Sequence, residues 1–258
     1  MEEPMSSAAV PLVPYTTILE IEESSLNAWP AVSTVCRQGC LLRFADGYTK
    51  RSNSVNALYR FGDAAELIDY AEAAYAGRKL STVFKILGSR AYEELDSMLD
   101  GRGYKVLDRT TVRTADLSRA GHGVSPEVRI EESFSAEWVD GFIGANHLEP
   151  RAPAVRSVLG LIQVETLVAS VVENGRISAF GFAAVEDKRA GFFDIFVRQE
   201  RRGSGLGRKI MESLMAAARN AGAEEGYLQV MDNNLPAQAL YDKLGFRPLY
   251  PYWYRVRE

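Results

Sequence analysis

The chain has 258 residues, 47% of them hydrophobic and 25% charged, which excludes a wholly disordered polymer and leaves room for one large or two modest domains. Its 30 Lys and Arg stand against 34 Asp and Glu, a net charge of −4, so nothing in the overall charge calls for nucleic acid or an acidic membrane as partner. Cys36, Cys40, His122 and His147 are too few and too scattered for a closed zinc site, so no metal is expected and the two thiols read as small buried side chains.

Met1-Glu2-Glu3-Pro4 places acid where a secretory signal needs base, and the apolar runs break well short of a ~20-residue span, so a cytoplasmic chain without a membrane anchor is expected. Residues 1–16, with Pro4, Pro11 and Pro14, read as a flexible lead-in. Ile18, Ile21, Leu26 and Trp29 recur at helical spacing. Cys40–Phe44, an Asp46-Gly47 turn and Thr49–Tyr59 read as two antiparallel strands. Asp63 caps a helix that runs to Ala76 and stops at Gly77. A strand over Thr82–Leu87, a helix over Ala91–Leu99 and an extended segment over Lys105–Ala115 complete this part.

Gly121, Gly123 and Pro126 mark a linker over 121–126, dividing an N-terminal α/β domain (17–120) from a second domain (127–258). The second domain is expected to contain a strand over Glu127–Glu132 and helices over Ala136–Ala145 and Ala154–Ile162. A hairpin then turns at Asn174-Gly175, between Leu167–Val172 and Ile177–Val185. Strand Phe192–Val197, helix Leu206–Ala221, strand Tyr227–Met231, helix Pro236–Leu244 and strand Arg247–Val256 follow. A weak internal repeat joins Leu95-Asp96-Ser97-Met98-Leu99 before Gly103-Tyr104 to Leu240-Tyr241-Asp242-Lys243-Leu244 before Gly245-Phe246; helix-glycine-strand punctuation is common and does not by itself show shared ancestry.

The informative stretch is the apolar strand ending at Val197, the loop Gly203-Ser204-Gly205-Leu206-Gly207, and the amphipathic helix that this loop opens. Glycines allow positive φ and close backbone approach, and the free N–H groups at a helix start favour a bound anion. Arg202, Arg208 and the neighbouring Arg201 suit phosphate. A dinucleotide fingerprint is excluded because the loop is not the first turn of a βαβ unit, and an ATP phosphate loop because no Gly-Lys-Ser/Thr follows.

Arg202-x-x-Gly205-x-Gly207 between that strand and helix resembles the acyl-CoA pyrophosphate motif of the GNAT superfamily of N-acetyltransferases. Asn234-x-x-Ala237-x-x-Leu240-Tyr241-x-x-Leu244-Gly245-Phe246 resembles the second signature of that superfamily, so the resemblance spans about residues 127–258. It implies a mixed α/β fold with a central, mostly antiparallel sheet flanked by helices, and acetyl-CoA as cosubstrate. It also implies a pantetheine arm along Phe196, Val197 and Gln199, and a pyrophosphate on Arg202, Gly203, Ser204, Gly205, Leu206, Gly207 and Arg208. Asn234 then contacts the arm or orders water, caps the helix that follows, or does both.

An alkylamine is neutral at pH 7 only to about one part in a thousand, so a proton acceptor is expected. Asp194, flanked by Phe193 and Ile195 in the strand beside the cofactor, is the first candidate, with Glu165 and Glu173 behind it and a solvent-facing position as the plain alternative. By resemblance Tyr241 stands where the family keeps the acid that protonates the leaving thiol, and His147 lies where members often close the acceptor site. The first domain has no Arg-x-x-Gly-x-Gly, so it reads either as a degenerate GNAT half or as an unrelated cap over the acceptor, with Trp29, Arg43, Tyr48, Arg51 and Asn53 as candidates for that surface. Acetylation of a small-molecule primary amine by direct attack is the expected function. A protein-lysine acetyltransferase and a non-catalytic acyl-CoA sensor or interaction module stay open.

Overall fold

The computed structural model describes residues 13–59, 61–121 and 123–257; most of the expected lead-in, residues 1–12, and His122 lie outside them. The first half runs α1 (Tyr15–Ala28), β1 (Ser33–Arg37), β2 (Cys40–Phe44), β3 (Val55–Asn56), α2 (Ala64–Ala76), β4 (Thr82–Leu87), α3 (Glu93–Gly101) and β5 (Lys105–Asp116). The second runs β6 (Arg129–Glu131), α4 (Ala136–Ala145), α5 (Ala152–Gly160), β7 (Glu165–Glu173), β8 (Arg176–Glu186) and β9 (Arg189–Val197), then α6 (Leu206–Asn220), β10 (Glu225–Met231), α7 (Leu235–Lys243) and β11 (Arg247–Arg257).

The strands form one 11-stranded sheet in the order β1-β2-β3-β4-β11-β5-β10-β9-β8-β7-β6. Neighbours are antiparallel except for two parallel pairs, β3 with β4 and β9 with β10. Helices flank the sheet, giving the mixed α/β fold with a mostly antiparallel centre. Helix, three strands, helix, strand, helix, strand is the order from α1 to β5 and again from α5 to β11, with the parallel pair at the same place in each series. The last strands of the two series lie side by side in the middle of the sheet. There β5 pairs with β10 of the second half, and β11 pairs with β4 of the first. The two Gly-aromatic junctions, Gly103-Tyr104 and Gly245-Phe246, therefore lead into central neighbours.

The first hairpin differs from expectation. Strand β1 pairs with β2 across Gln38-Gly39, both at positive φ (48° and 80°) as a two-residue hairpin turn requires. Asp46-Gly47 does turn the chain and the strand beyond it pairs antiparallel with β2 as expected, but that strand shrinks from Thr49–Tyr59 to Val55–Asn56. Asn53 holds the residues before it as a loop: its Oδ1 accepts from the N–H groups of Ala45 and Gly47, and its Nδ2 donates to the Thr49 carbonyl. Pairing with β2 also leaves Cys36 exposed while Cys40 is buried, correcting the reading of two buried thiols. Helix α1 begins earlier than expected, at Tyr15, directly after Pro14, a residue well suited to a helix start.

Beneath α1 the interior contains an ion pair. Lys85 Nζ on β4 lies 2.5 Å from Glu22 Oε2 of α1, with both side chains buried, and the Tyr250 hydroxyl donates to Glu22 Oε1 at 2.9 Å. Burial pulls the Lys85 pKa down against the pull of Glu22. Lys85→Met alone strands a buried carboxylate and is expected to cost about 3–5 kcal/mol. Adding Glu22→Leu should recover most of that loss in a urea titration, and a second substitution that recovers nothing would show the carboxylate to be solvated.

Candidate active site

Strands β9 and β10 run parallel only from Arg189–Glu225 to Phe192–Leu228 and then part, β10 staying with β5 through Met231. The end of β9 is thus left without a partner on that side. A bulge sits at the fork: Phe180 faces Phe196 and Phe182 faces Phe193, so Asp194 and Ile195 together oppose Gly181, with Asp194 at φ 50°. A Cβ on Gly181 would stand 2.5 Å from Ile195 Cδ1, so the small residue is what lets the bulge close.

Past β9 the chain makes a short 3₁₀ turn and enters α6 through Gly203 (φ 77°) and Gly205 (φ 83°), with open space around both. Helix α6 has no side-chain cap and no acid in its first turn, so its N–H groups point outward unsatisfied. Its counterpart α2 is capped by Asp63, with Glu66 beside it, a carboxylate already filling the equivalent place. Where β3 and β4 part in the same way, Tyr15 and Tyr92 donate their hydroxyls to the carbonyls of Leu58 and Ala57, closing that fork.

At the open fork lies a cavity of about 360 Å³. It is lined by Phe193 and Asp194 of β9, Met231 of β10, Tyr241 of α7, Tyr252 and Tyr254 of β11, and Lys50 and Arg51 of the 45–54 loop.

A family model described as "Probable histone acetyltransferase Rv0428c C-terminal" matches residues 16–255. A Bacillus subtilis protein named "Uncharacterized N-acetyltransferase YobR" is 30% identical over 254 residues, covering 93% of this chain and 98% of its own. The chain belongs to the GNAT superfamily of N-acetyltransferases. Among solved structures, a GCN5-related N-acetyltransferase from Kribbella flavida superposes with a TM-score of 0.67 at 16% identity, over 92% of this chain and 94% of its own. A tandem GNAT protein from the clavulanic acid biosynthesis pathway gives 0.57 at 14%, over 72% and 68%.

Around the fork this GNAT chain presents a strand edge freed on one side, an open glycine turn and, among the described residues, a helix start without a side-chain cap. Phe196 and Val197 lie on that edge, and Gln199 is in the turn that follows. Arg202 is exposed with its Nε 3.3 Å from the Val197 carbonyl. The Ser204 hydroxyl bonds to the Arg201 carbonyl, Leu206 is buried, and Arg208 pairs with Glu212. Gly207 faces Val197 closely enough that a Cβ would touch its Cγ2 at 3.4 Å. Asn234 caps α7, accepting from the Ala237 N–H at 3.3 Å.

Asp194 and Tyr241, far apart in sequence, share the cavity. Burial and the nearby Asp194 push the Tyr241 hydroxyl up to about 12, so it keeps its proton at neutral pH. Asp194 Oδ1 pairs with Arg51 Nη2 at 3.1 Å, and its Oδ2 is buried with no partner among the described residues. Burial alone would lower the Arg51 pKa, but Asp194 and the surrounding tyrosines carry it above its ordinary value. The Arg51 guanidinium lies 4.1 Å from the Trp29 ring centroid. Behind it buried Arg43 donates to the carbonyls of Arg51, Leu26 and Trp29, tying the loop to the end of α1.

The other candidates lie elsewhere. Glu173 pairs with Arg201, Glu165 is exposed at the start of β7, and His147 is exposed after α4; none lines the cavity. Tyr252, Tyr254, Met231 and Lys50 escaped sequence reasoning. The alternation Tyr250-x-Tyr252-x-Tyr254 was a usable signal, since alternate residues of a strand share a face.

Proposed function

We propose that this N-acetyltransferase moves the acetyl group of acetyl-CoA to the primary amine of a small molecule by direct attack, with Asp194 and Tyr241 as its proton-handling pair. The observation that carries this reading is their meeting in one cavity at the fork of β9 and β10. When bound, acetyl-CoA supplies an activated acyl carbon and a thiolate leaving group. The Asp194 carboxylate takes the proton released by the attacking nitrogen, directly or through water. Tyr241, protonated at neutral pH, gives its proton to the departing sulfur.

The cavity lies at the low end of small-molecule sites, about 300–1,000 Å³, and the 45–54 loop forms one wall, which favours a small acceptor over a protein lysine. The first half is read as a degenerate GNAT copy, joined to the second at 121–126, whose fork is closed by Tyr15 and Tyr92 and whose helix start is occupied by Asp63. One equivalent of acetyl-CoA per chain is therefore expected in calorimetry; two would refute the assignment of the first half. Free-thiol release with an amine panel, run beside a histone-tail peptide, tests the activity. Turnover with the peptide alone would favour the protein-lysine reading, and acetyl-CoA binding without turnover on any amine would favour a sensor.

A further inference from the structure

We infer that the acceptor is a free α-amino acid, its amine placed on Asp194 and its carboxylate on Arg51. This rests on the acetyl-transfer reading above and adds the chemical class of the acceptor. The cavity holds two unused hydrogen-bonding capacities side by side. Asp194 Oδ2 accepts from nothing, and Arg51 commits only Nη2, leaving Nε and Nη1 without an acceptor among the described residues. A buried acceptor lacking a donor, next to an arginine edge lacking an acceptor, is matched by a ligand carrying both complements.

The spacing narrows the class. Arg51 and Asp194 touch at 3.1 Å, so the ligand's amine and anion must also be close neighbours, as they are when both are bonded to one carbon. The guanidinium is fixed on several sides. Its central carbon lies 4.1 Å from the Trp29 ring centroid and its Nη2 is held by Asp194 at 3.1 Å, while the Arg51 backbone behind it is fixed by Arg43 Nη1 on its carbonyl at 2.7 Å and by its own N–H on Thr49 Oγ1 at 3.0 Å. Such a preset fork suits a carboxylate, which accepts through two oxygens, better than an amide carbonyl, which offers one.

Charge points the same way. Lys50 pairs with Asp108 at 2.8 Å and Arg51 with Asp194, so the lining is balanced and a zwitterion leaves it balanced. A polyamine would bring further cations against Lys50 and Arg51. A lysine ε-amine, remote from any carbonyl, would leave Arg51 unmatched. In the transfer itself the α-nitrogen bonds to the acetyl carbon as the carbon–sulfur bond breaks. The ammonium of the bound zwitterion first yields one proton to solvent by way of Asp194; the proton released on attack then goes to Asp194 and on to solvent, while the thiolate takes that of Tyr241, which is replaced from solvent, giving an N-acetyl amino acid, free CoA and one proton.

The test uses the full chain with acetyl-CoA and matched acceptors: leucine and phenylalanine, the corresponding amines without a carboxylate, the amino-acid amides, and a tripeptide. Thiol release and product mass are read, with calorimetry of each amino acid against the CoA-loaded protein. Products acetylated on the α-nitrogen are expected, with kcat/KM about 10- to 100-fold lower for the decarboxylated amines and the amides, the range of a hydrogen bond to a charged group. Arg51→Met also frees Asp194, so both acceptors are expected to slow, but the ratio of kcat/KM for the amino acid to that for its decarboxylated amine should fall toward one; Arg51→Lys should fall between. Equal use of amine and amino acid, preference for the tripeptide, or an Arg51→Met variant that keeps the parent's amino-acid-to-amine ratio would overturn the inference. Failure to bind acetyl-CoA, or thiol release with no amine at all, would strike the transfer reading instead. In that event, amino-acid binding that Arg51→Met leaves unchanged would still overturn the inference.

Discussion

Gly205→Asp is expected to weaken acetyl-CoA binding at least about 100-fold in calorimetry. Gly205 sits at φ 83° with nothing within contact of its Cβ position, immediately before the uncapped start of α6. Asp is among the residues that tolerate this left-handed conformation, so the variant should fold. Its carboxylate would face the pyrophosphate, and two like charges about 4 Å apart repel by about 4 kcal/mol at an effective dielectric of about 20. Gly205→Asn, nearly the same shape without the charge, should bind within several-fold of the parent. Equal losses in the two variants would place the effect in the backbone, and unchanged affinity in a folded Gly205→Asp protein would move the pyrophosphate elsewhere.

Tyr241→Phe should lower turnover about 100-fold, the lower end of general acid catalysis because a thiolate leaves easily, with little change in acetyl-CoA affinity. The phenyl ring keeps its edge-on contact with Phe246, centroids 6.0 Å apart, so packing survives and only the proton donor is lost. The pH dependence has a definite sign. Burial and the Asp194 charge disfavour the phenolate, raising the hydroxyl from 10.0 to about 12, so it can donate throughout the neutral range and is spent only as pH climbs toward that value. Tyr241 therefore should not cause any fall in rate below about pH 11. Single-turnover rates from pH 6 to 10 check this. An unchanged chemical step in the Phe variant would leave Tyr241 as a packing residue.

From α4 onward the elements were readable because local chemistry decides them: Ser135 caps α4, Asn174-Gly175 turns a hairpin, and Gly205 opens α6. Gln38-Gly39 was missed because Asp46-Gly47 offered a stronger turn dipeptide a few residues on, and side chains acting at a distance, Asn53 and Arg43 among them, hold the 45–54 segment as a loop. Glu22 looks like any other acid in Glu20-Ile21-Glu22-Glu23; its burial depends on Lys85 and Tyr250, remote in sequence. The cavity was half legible. Tyr241 and Asp194 came from motif register and strand position, and Arg51 stood among several surface candidates. Its approach to Asp194 follows from the three-dimensional path of the 45–54 loop, which no local pattern encodes.

The central pairing of β5 with β11 bears on how the chain acquires its structure during synthesis. Strand β4 finds its second neighbour only in residues 247–257, so the first half cannot close its sheet while the ribosome is still making the second. Until then β4 and β5 would present unpaired edges, the feature that makes slow, long-range sheets prone to aggregate. Severing the chain at 121–126 would likewise leave β10 and β11 with an empty slot between them. The halves should fold as a single cooperative unit, and fragments expressed apart should recover activity only when mixed.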